Sequence, residues 1–223
     1  MPRLNQLLGR RVNVVPDIYF LDAPYEGSDL VYWRGDTDSA SRIPENLNPI
    51  LDVAFFPDPQ VSNDHVSHLQ LENMSAYQKF QHYLLSARRC IDIAVYNLTD
   101  DRTRRVLEEL HERGIRIRIL TDYTNIRELG SDVQALANEG IEVRFIRAPT
   151  QSQHGLMHHK FAVIDNVFML NGSFNWSRAA ATVNQENIVF CNIPAMVMPF
   201  IDQFACLWET GCVLQPNWIK KKE

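Results

Sequence analysis

From residue 51 onward the chain alternates short apolar runs with stretches of helical period. Leu51–Phe56 is apolar and closed by Pro57 and Pro59, which predicts a buried strand. Residues 75–89 predict a helix: Ser75 and Gln78 have the spacing of a capping box, and Tyr77, Phe80, Leu84 and Leu85 form its apolar side. Residues 91–96 predict a strand, and Thr99 a helix cap, with Gly114 stopping that helix. Residues 115–120 alternate isoleucine and arginine, the pattern of a half-exposed strand. Ser131 then caps a short helix ending at Gly140, and residues 141–146 form a strand. Residues 51–146 therefore read as strands alternating with helices, the pattern of an α/β domain with a mixed central sheet flanked by helices.

Past a polar loop at 148–156, Lys160–Ile164 and residues 167–170 predict two strands joined by an Asp165-Asn166 turn. A polar stretch at 171–177 leads into a short helix through Ala181, residues 188–191 form the last strand, and Pro194 opens a final helix to about Gly211. Residues 1–50 are acidic, punctuated by proline and weakly periodic. The expected division is an extension over 1–50, a main domain over 51–212 and a tail over 213–223.

With 223 residues, 45% hydrophobic and 22% charged, the chain is long enough to bury a core. This excludes a disordered chain, a collagen-like chain and a small disulfide scaffold. The net charge of −5 gives no global basic field. It is unevenly placed: residues 1–75 carry 5 Lys and Arg against 11 Asp and Glu, and the rest is nearly balanced. The cysteines form no CxxC pair; Cys90, Cys191 and Cys206 lie in apolar surroundings and are expected to be buried, which fits a reducing compartment. No run is long and apolar enough to span a bilayer. Near the start, Arg3, Arg10 and Arg11 precede any acidic residue, and Leu4, Leu7, Leu8 and Val12 have helical spacing. A packed helical arm, an interfacial helix and a mitochondrial presequence all fit.

The segment 157–165, Met-His-His-Lys-Phe-Ala-Val-Ile-Asp, contains H-x-K-x4-D, and Gly172-Ser173-Phe174-Asn175-Trp176 follows it. On a strand His158 and Lys160 point to one face. An imidazole beside a fixed ammonium is a poor metal site and a good anion site. Ser173 and Asn175 add neutral donors. That set suits a phosphodiester, with Lys160 and Asn175 on the non-bridging oxygens, His158 facing phosphorus and Glu186 able to fix the histidine tautomer.

In this combination the chain resembles the phospholipase D superfamily, and within it the single-motif members: Nuc-type endonucleases and the mitochondrial cardiolipin hydrolases also known as Zucchini. The likeness runs from about Leu51 to Trp208 and takes in Gly114-Ile115-Arg116-Ile117-Arg118 and Thr121-Asp122. The resemblance implies His158 as the nucleophile of a covalent phosphohistidine; Lys160, Ser173 and Asn175 as phosphate-binding groups; Asp165 as a supporting member of the catalytic motif; and Glu186 as the carboxylate that orients the histidine. It implies no cofactor and no metal. It also implies a homodimer, because the reaction uses two histidines and this chain has one motif. Single-stranded nucleic acid, RNA first, is the leading expected substrate. Cardiolipin hydrolysed to phosphatidate is the alternative, and a non-catalytic phosphate-binding adaptor a further one. Family resemblance places the chain at mitochondria; the lack of a spanning segment fits the cytoplasm.

Some features are open at this level. His65 and His68 stand where these relatives carry a zinc finger, but no cysteine accompanies them. The arginines at 102, 104, 105 and 113 are interleaved with acids, as on a paired solvated face, whereas Arg116 and Arg118 share a strand face that could line a substrate groove. Trp176 suits either stacking on a base or packing beneath the site loop. The lysines at 220–222 suit either an anionic partner or a frayed end.

Overall fold

The computed structural model describes residues 49–61, 71–128, 130–147 and 155–218. In chain order these form β1 (Leu51–Phe56), α1 (Ala76–Leu85), β2 (Cys90–Val95), β3 (Leu98–Thr99), α2 (Asp101–Glu112), β4 (Arg116–Asp122), α3 (Val133–Asn138) and β5 (Glu142–Ile146). They continue through β6 (Lys160–Ile164), β7 (Phe168–Gly172), β8 (Trp176–Ser177), α4 (Arg178–Thr182), β9 (Glu186–Cys191), α5 (Pro194–Thr210) and β10 (Cys212–Val213). The expected helical arm at the N-terminus, His65 and His68, and the lysines at 220–222 lie outside the described residues.

Local chemistry sets most boundaries. Ser75 caps α1 with the capping box the spacing implied. Asp100, rather than Thr99, caps α2: its carboxylate accepts from Arg102 N, and Thr99 is drawn into β3. Asp132, not Ser131, stands before α3. Gly114 and Gly140 end their helices at φ +80 and +98, left-handed values that cost a glycine least. Asp165 and Asn166 both have positive φ, as the two-residue turn between antiparallel strands requires.

Eight strands form one mixed sheet in the order β1-β9-β7-β6-β2-β4-β5-β10, with β3 and β8 paired in a small parallel ribbon. β2, β4 and β5 are parallel neighbours, as strand-helix-strand crossovers demand. The second half is antiparallel and joins the first where β6 pairs β2. The main core lies on one face, where Tyr77, Phe80, Tyr83 and Leu84 of α1 and Val106, Leu107 and Leu110 of α2 are buried. α5 covers part of the other face with Val197, Phe204 and Trp208.

Four expectations change here. Among the described residues β1 pairs only with β9, and only one of its faces is covered: Ala54 and Phe56 enter the core, while Leu51, Val53 and Phe55 are exposed. Cys90 and Cys191 are buried but Cys206 is exposed, because it falls on the outer side of α5. Arg118 does not line a groove. It makes a two-pronged bond to Asp92 at 2.7 and 2.6 Å and lies over the rings of Phe204 and Trp208. Finally, the packed chain runs past residue 212, since Leu214 is in the core and Trp218 meets Tyr123 and Phe145. Among the arginines of α2, the paired reading holds for Arg102 with Asp100 and Arg104 with Glu108. No described helix is long and apolar enough to cross a membrane.

Candidate active site

The start of β6, the end of β7, the start of β9 and the end of β2 lie at one end of the sheet, because β6 runs antiparallel to both β2 and β7, and β9 antiparallel to β7. His158 and Lys160 (before and at the start of β6), Ser173 and Asn175 (after β7), and Glu186 (opening β9) therefore share that end.

The strap before β6 is fixed by its backbone. Met157 N donates to Asp122 Oδ2 at 2.8 Å, and the other Asp122 oxygen accepts from Thr124 N and Oγ1. His159 O accepts from Tyr96 N at 2.8 Å. His158 is left exposed. Lys160 is buried, and its Nζ donates to His158 O at 2.7 Å. Burial holds its ammonium below the ordinary lysine range, while the Glu186 carboxylate pulls it back up. The positive charge is thus tied to the backbone of the histidine strap and retains donors for an anion.

Gly172 explains the loop that follows β7. A Cβ there would lie 1.9 Å from Asn187 O, so only glycine lets β7 approach β9 so closely. Ser173 N then donates to Asn187 O at 3.1 Å, and Ser173 Oγ accepts from Asn187 N at 3.2 Å. Asn175 Oδ1 is buried without a hydrogen-bond partner among the described residues. Glu186 accepts from Asn184 Nδ2 at 3.3 Å and acts electrostatically on Lys160. Neither contact is with His158.

Asp165 is not brought to this end. It lies at the opposite end of β6, about 16 Å away along an extended strand. It is buried, and its carboxylate accepts the backbone N–H groups of Arg88, Arg89 and Cys90 at 2.9, 2.8 and 2.9 Å. It pins the turn between α1 and β2. Trp176 is likewise fully buried, edge-on to Phe80, so it packs under the loop and offers no face to a base.

Two residues at the end of β2 were not singled out from the sequence. The Tyr96 ring lies 4.6 Å from the His158 ring, and Lys160 Nζ lies 5.1 Å from its centroid. Asn97 precedes β3, which pairs with β8 so that Leu98 meets Trp176; Asn97 and Asn175 therefore flank the ribbon side by side. Asn97 Oδ1 is also buried without a partner among the described residues. A signal was present: Tyr96-Asn97-Leu98-Thr99 repeats the aromatic, asparagine, apolar, hydroxyl order of Phe174-Asn175-Trp176-Ser177.

This arrangement can hold a phosphodiester against an exposed imidazole. Comparison with known proteins agrees. A domain model described as "Cardiolipin synthase, PLD-like domain" matches residues 80–208. The mitochondrial cardiolipin hydrolase of Chlamydomonas reinhardtii is 40% identical over 135 residues, covering 60% of this chain and 58% of that protein. The protein of the same name from Danio rerio is 32% identical over 180 residues, covering 76% and 78%. Among solved structures, Nuc from Salmonella typhimurium, described as a phospholipase D family member, superposes with a TM-score of 0.61 at 25% identity, over 75% of this chain and 99% of that one. NucT from Helicobacter pylori shares the fold at a TM-score of 0.61 and 20% identity, over 74% and 100%.

Proposed function

The chain belongs to the phospholipase D-like domain family of the cardiolipin synthase type, and from that we propose that it is a phosphodiesterase acting as a homodimer through a covalent phosphohistidine. The observation that carries this reading is one exposed imidazole, His158, on a strap whose backbone holds a buried ammonium, Lys160. Lys160, Ser173 and Asn175 take the non-bridging oxygens. A nitrogen of His158 attacks phosphorus, the P–O bond to the leaving group breaks, and the partner's His158 gives that oxygen its proton. The partner's imidazole, now neutral, takes a proton from water; the hydroxide oxygen bonds to phosphorus and the N–P bond breaks. A chain with one motif needs a two-fold axis beside the site to supply that second imidazole. Fixed Lys160 and Asn175 stabilise the developing charge, so turnover is expected in excess chelator.

For substrate, the apolar residues around the site support a phospholipid, as the names of the curated relatives do. Leu156, two positions before His158, and Val183, three before Glu186, are exposed, and so is Phe55, whose register partner Asn187 follows Glu186. We therefore place cardiolipin first. Single-stranded RNA is the second reading, the one implied by the resemblance to the single-motif endonucleases. The mitochondrial location in the relatives' names is the location we propose. The test compares wild type, His158→Ala and Leu156→Glu on cardiolipin vesicles, single-stranded RNA, single-stranded DNA and bis(4-nitrophenyl) phosphate, all in chelator. His158→Ala is expected to lose at least about 10²-fold on every substrate turned over. Leu156→Glu is expected to lose about 10-fold on vesicles alone, since an exposed leucine contributes roughly 1.5 kcal/mol or more when it enters an apolar phase. Equal vesicle rates for Leu156→Glu and wild type would remove the lipid reading, and turnover of RNA but not vesicles would install the second. Activity surviving in His158→Ala would end the phosphohistidine reading.

A further inference from the structure

We propose that Tyr96 is a positioning residue of the site: its ring is the wall that holds the His158 imidazole in the orientation for attack and keeps the Lys160 ammonium beside it. The proposal rests on His158 being the nucleophile, as argued above, and adds a residue outside the H-x-K-x4-D and G-S-x-N motifs.

The geometry is that of a braced plate. The Tyr96 and His158 ring centroids are 4.6 Å apart, with planes inclined at 54°. Lys160 Nζ is 5.1 Å from the centroid of the same ring. An aromatic face attracts cations at this range, the ammonium directly and the imidazole whenever it carries a second proton. Without such a wall an exposed histidine turns freely about its two side-chain torsions, and only a fraction of its conformers aim a nitrogen at phosphorus.

The wall itself is fixed from both sides of its peptide. Tyr96 N donates to His159 O at 2.8 Å, which ties the end of β2 to the residue after the nucleophile. Tyr96 O accepts from Thr121 Oγ1 at 3.1 Å and from Asn125 Nδ2, buried groups at the end of β4 and in the turn that follows it. Any shift of β2 relative to β4 would therefore move the ring and the histidine strap together. These bonds come from backbone atoms and so survive side-chain replacement, which separates the ring's effect on chemistry from its effect on the fold.

The experiment measures kcat and KM on bis(4-nitrophenyl) phosphate, with melting temperature and dimer mass, for the full chain as wild type, Tyr96→Phe, Tyr96→Leu and His158→Ala. Tyr96→Phe keeps the ring and is expected to stay within about 3-fold of wild type. Tyr96→Leu is expected to lower kcat about 10- to 100-fold, the order of loss when a reacting group is misplaced, with KM changed less than 3-fold and the phosphoryl-enzyme formed in the first turnover reduced in step. Wild-type kcat in Tyr96→Leu, beside an inactive His158→Ala, overturns this inference and leaves the phosphohistidine reading standing. Full activity in His158→Ala overturns that reading instead. An equal loss in Tyr96→Phe and Tyr96→Leu also overturns the ring's role, since it would assign the effect to the hydroxyl. Should Tyr96→Leu melt early, Tyr96→Trp supplies the control: a larger ring in place of an alkyl chain must recover kcat.

Discussion

Replacing Asp165 separates its two possible roles in the motif. The carboxylate takes three backbone N–H groups in a buried position, two on Oδ1 and one on Oδ2. Asp165→Ala leaves all three without an acceptor. Each buried, unsatisfied donor costs about 1–3 kcal/mol; because the three share one turn and can relax together, the low end of their sum applies, about 3–5 kcal/mol. Alanine also sits poorly at the φ of +53 found there, which adds about 1 kcal/mol. Asp165→Asn tolerates that φ and keeps one oxygen for Arg89 and Cys90, but turns an NH2 toward Arg88 N–H, so about 1–3 kcal/mol is lost. In a chain of this size each kcal/mol moves the melting temperature by about 2–4 °C. The expected drops are therefore about 2–12 °C for Asp165→Asn and about 8–24 °C for Asp165→Ala, read by circular dichroism. Turnover per folded molecule at 15 °C should stay within about 3-fold of wild type, since the group lies at the far end of β6, roughly 16 Å along the strand from Lys160. An Asp165→Asn protein that melts like wild type yet has lost turnover 100-fold would refute the assignment and return Asp165 to the chemistry.

Other outcomes follow from the same structure. Gly172→Ala places a methyl against backbone atoms that cannot swing aside, so β7 and β9 must part at Ser173; activity should fall more than about 10-fold with a loss of at least about 1 kcal/mol in denaturant titrations. Asp132 is buried, with Oδ2 unpartnered among the described residues and Oδ1 3.5 Å from Arg104 Nη1, and burial pushes its carboxyl up to about 6. The folded chain therefore holds this proton more tightly than the unfolded chain, whose carboxyl titrates near 4. Its contribution to stability is greatest below pH 4 and declines as the pH rises through 6. Asp132→Asn should melt about 2–4 °C above wild type at pH 7, the shift of about 1 kcal/mol, and level with it at pH 4; a constant difference at both would exclude titration of Asp132 as the cause.

The strand and helix pattern from 51 to 211 was legible because apolar period and punctuation agree at nearly every element. What the pattern could not carry was position in the sheet. Leu51–Phe56 reads as a buried strand by composition, yet only one of its faces meets the core. Arg118 looks exposed from its alternation, but α5, far along the chain, lies across that face and sets it against Asp92. Cys206 sits in an apolar sequence whose outer side faces solvent. At the site, His158, Lys160, Ser173, Asn175 and Glu186 were visible as types at a spacing. Asp165 was visible too, but spacing along a strand does not say which end of it bears on a substrate. Tyr96 and Asn97 escaped notice because the short repeat that marks them gains its meaning only once β2 pairs β6 and β3 pairs β8.

The pairing of β1 with β9 also sets a schedule for synthesis. Ile50 and Asn192 are joined by a hydrogen bond although 142 positions separate them. β1, the first of the described strands to leave the ribosome, must therefore wait for nearly the last of them before it finds its place, a closure that is entropically slow. Throughout that wait Leu51, Val53 and Phe55 stand on an unpaired ladder, a template for intermolecular pairing. Truncation before residue 186 should therefore yield aggregates and not a smaller domain.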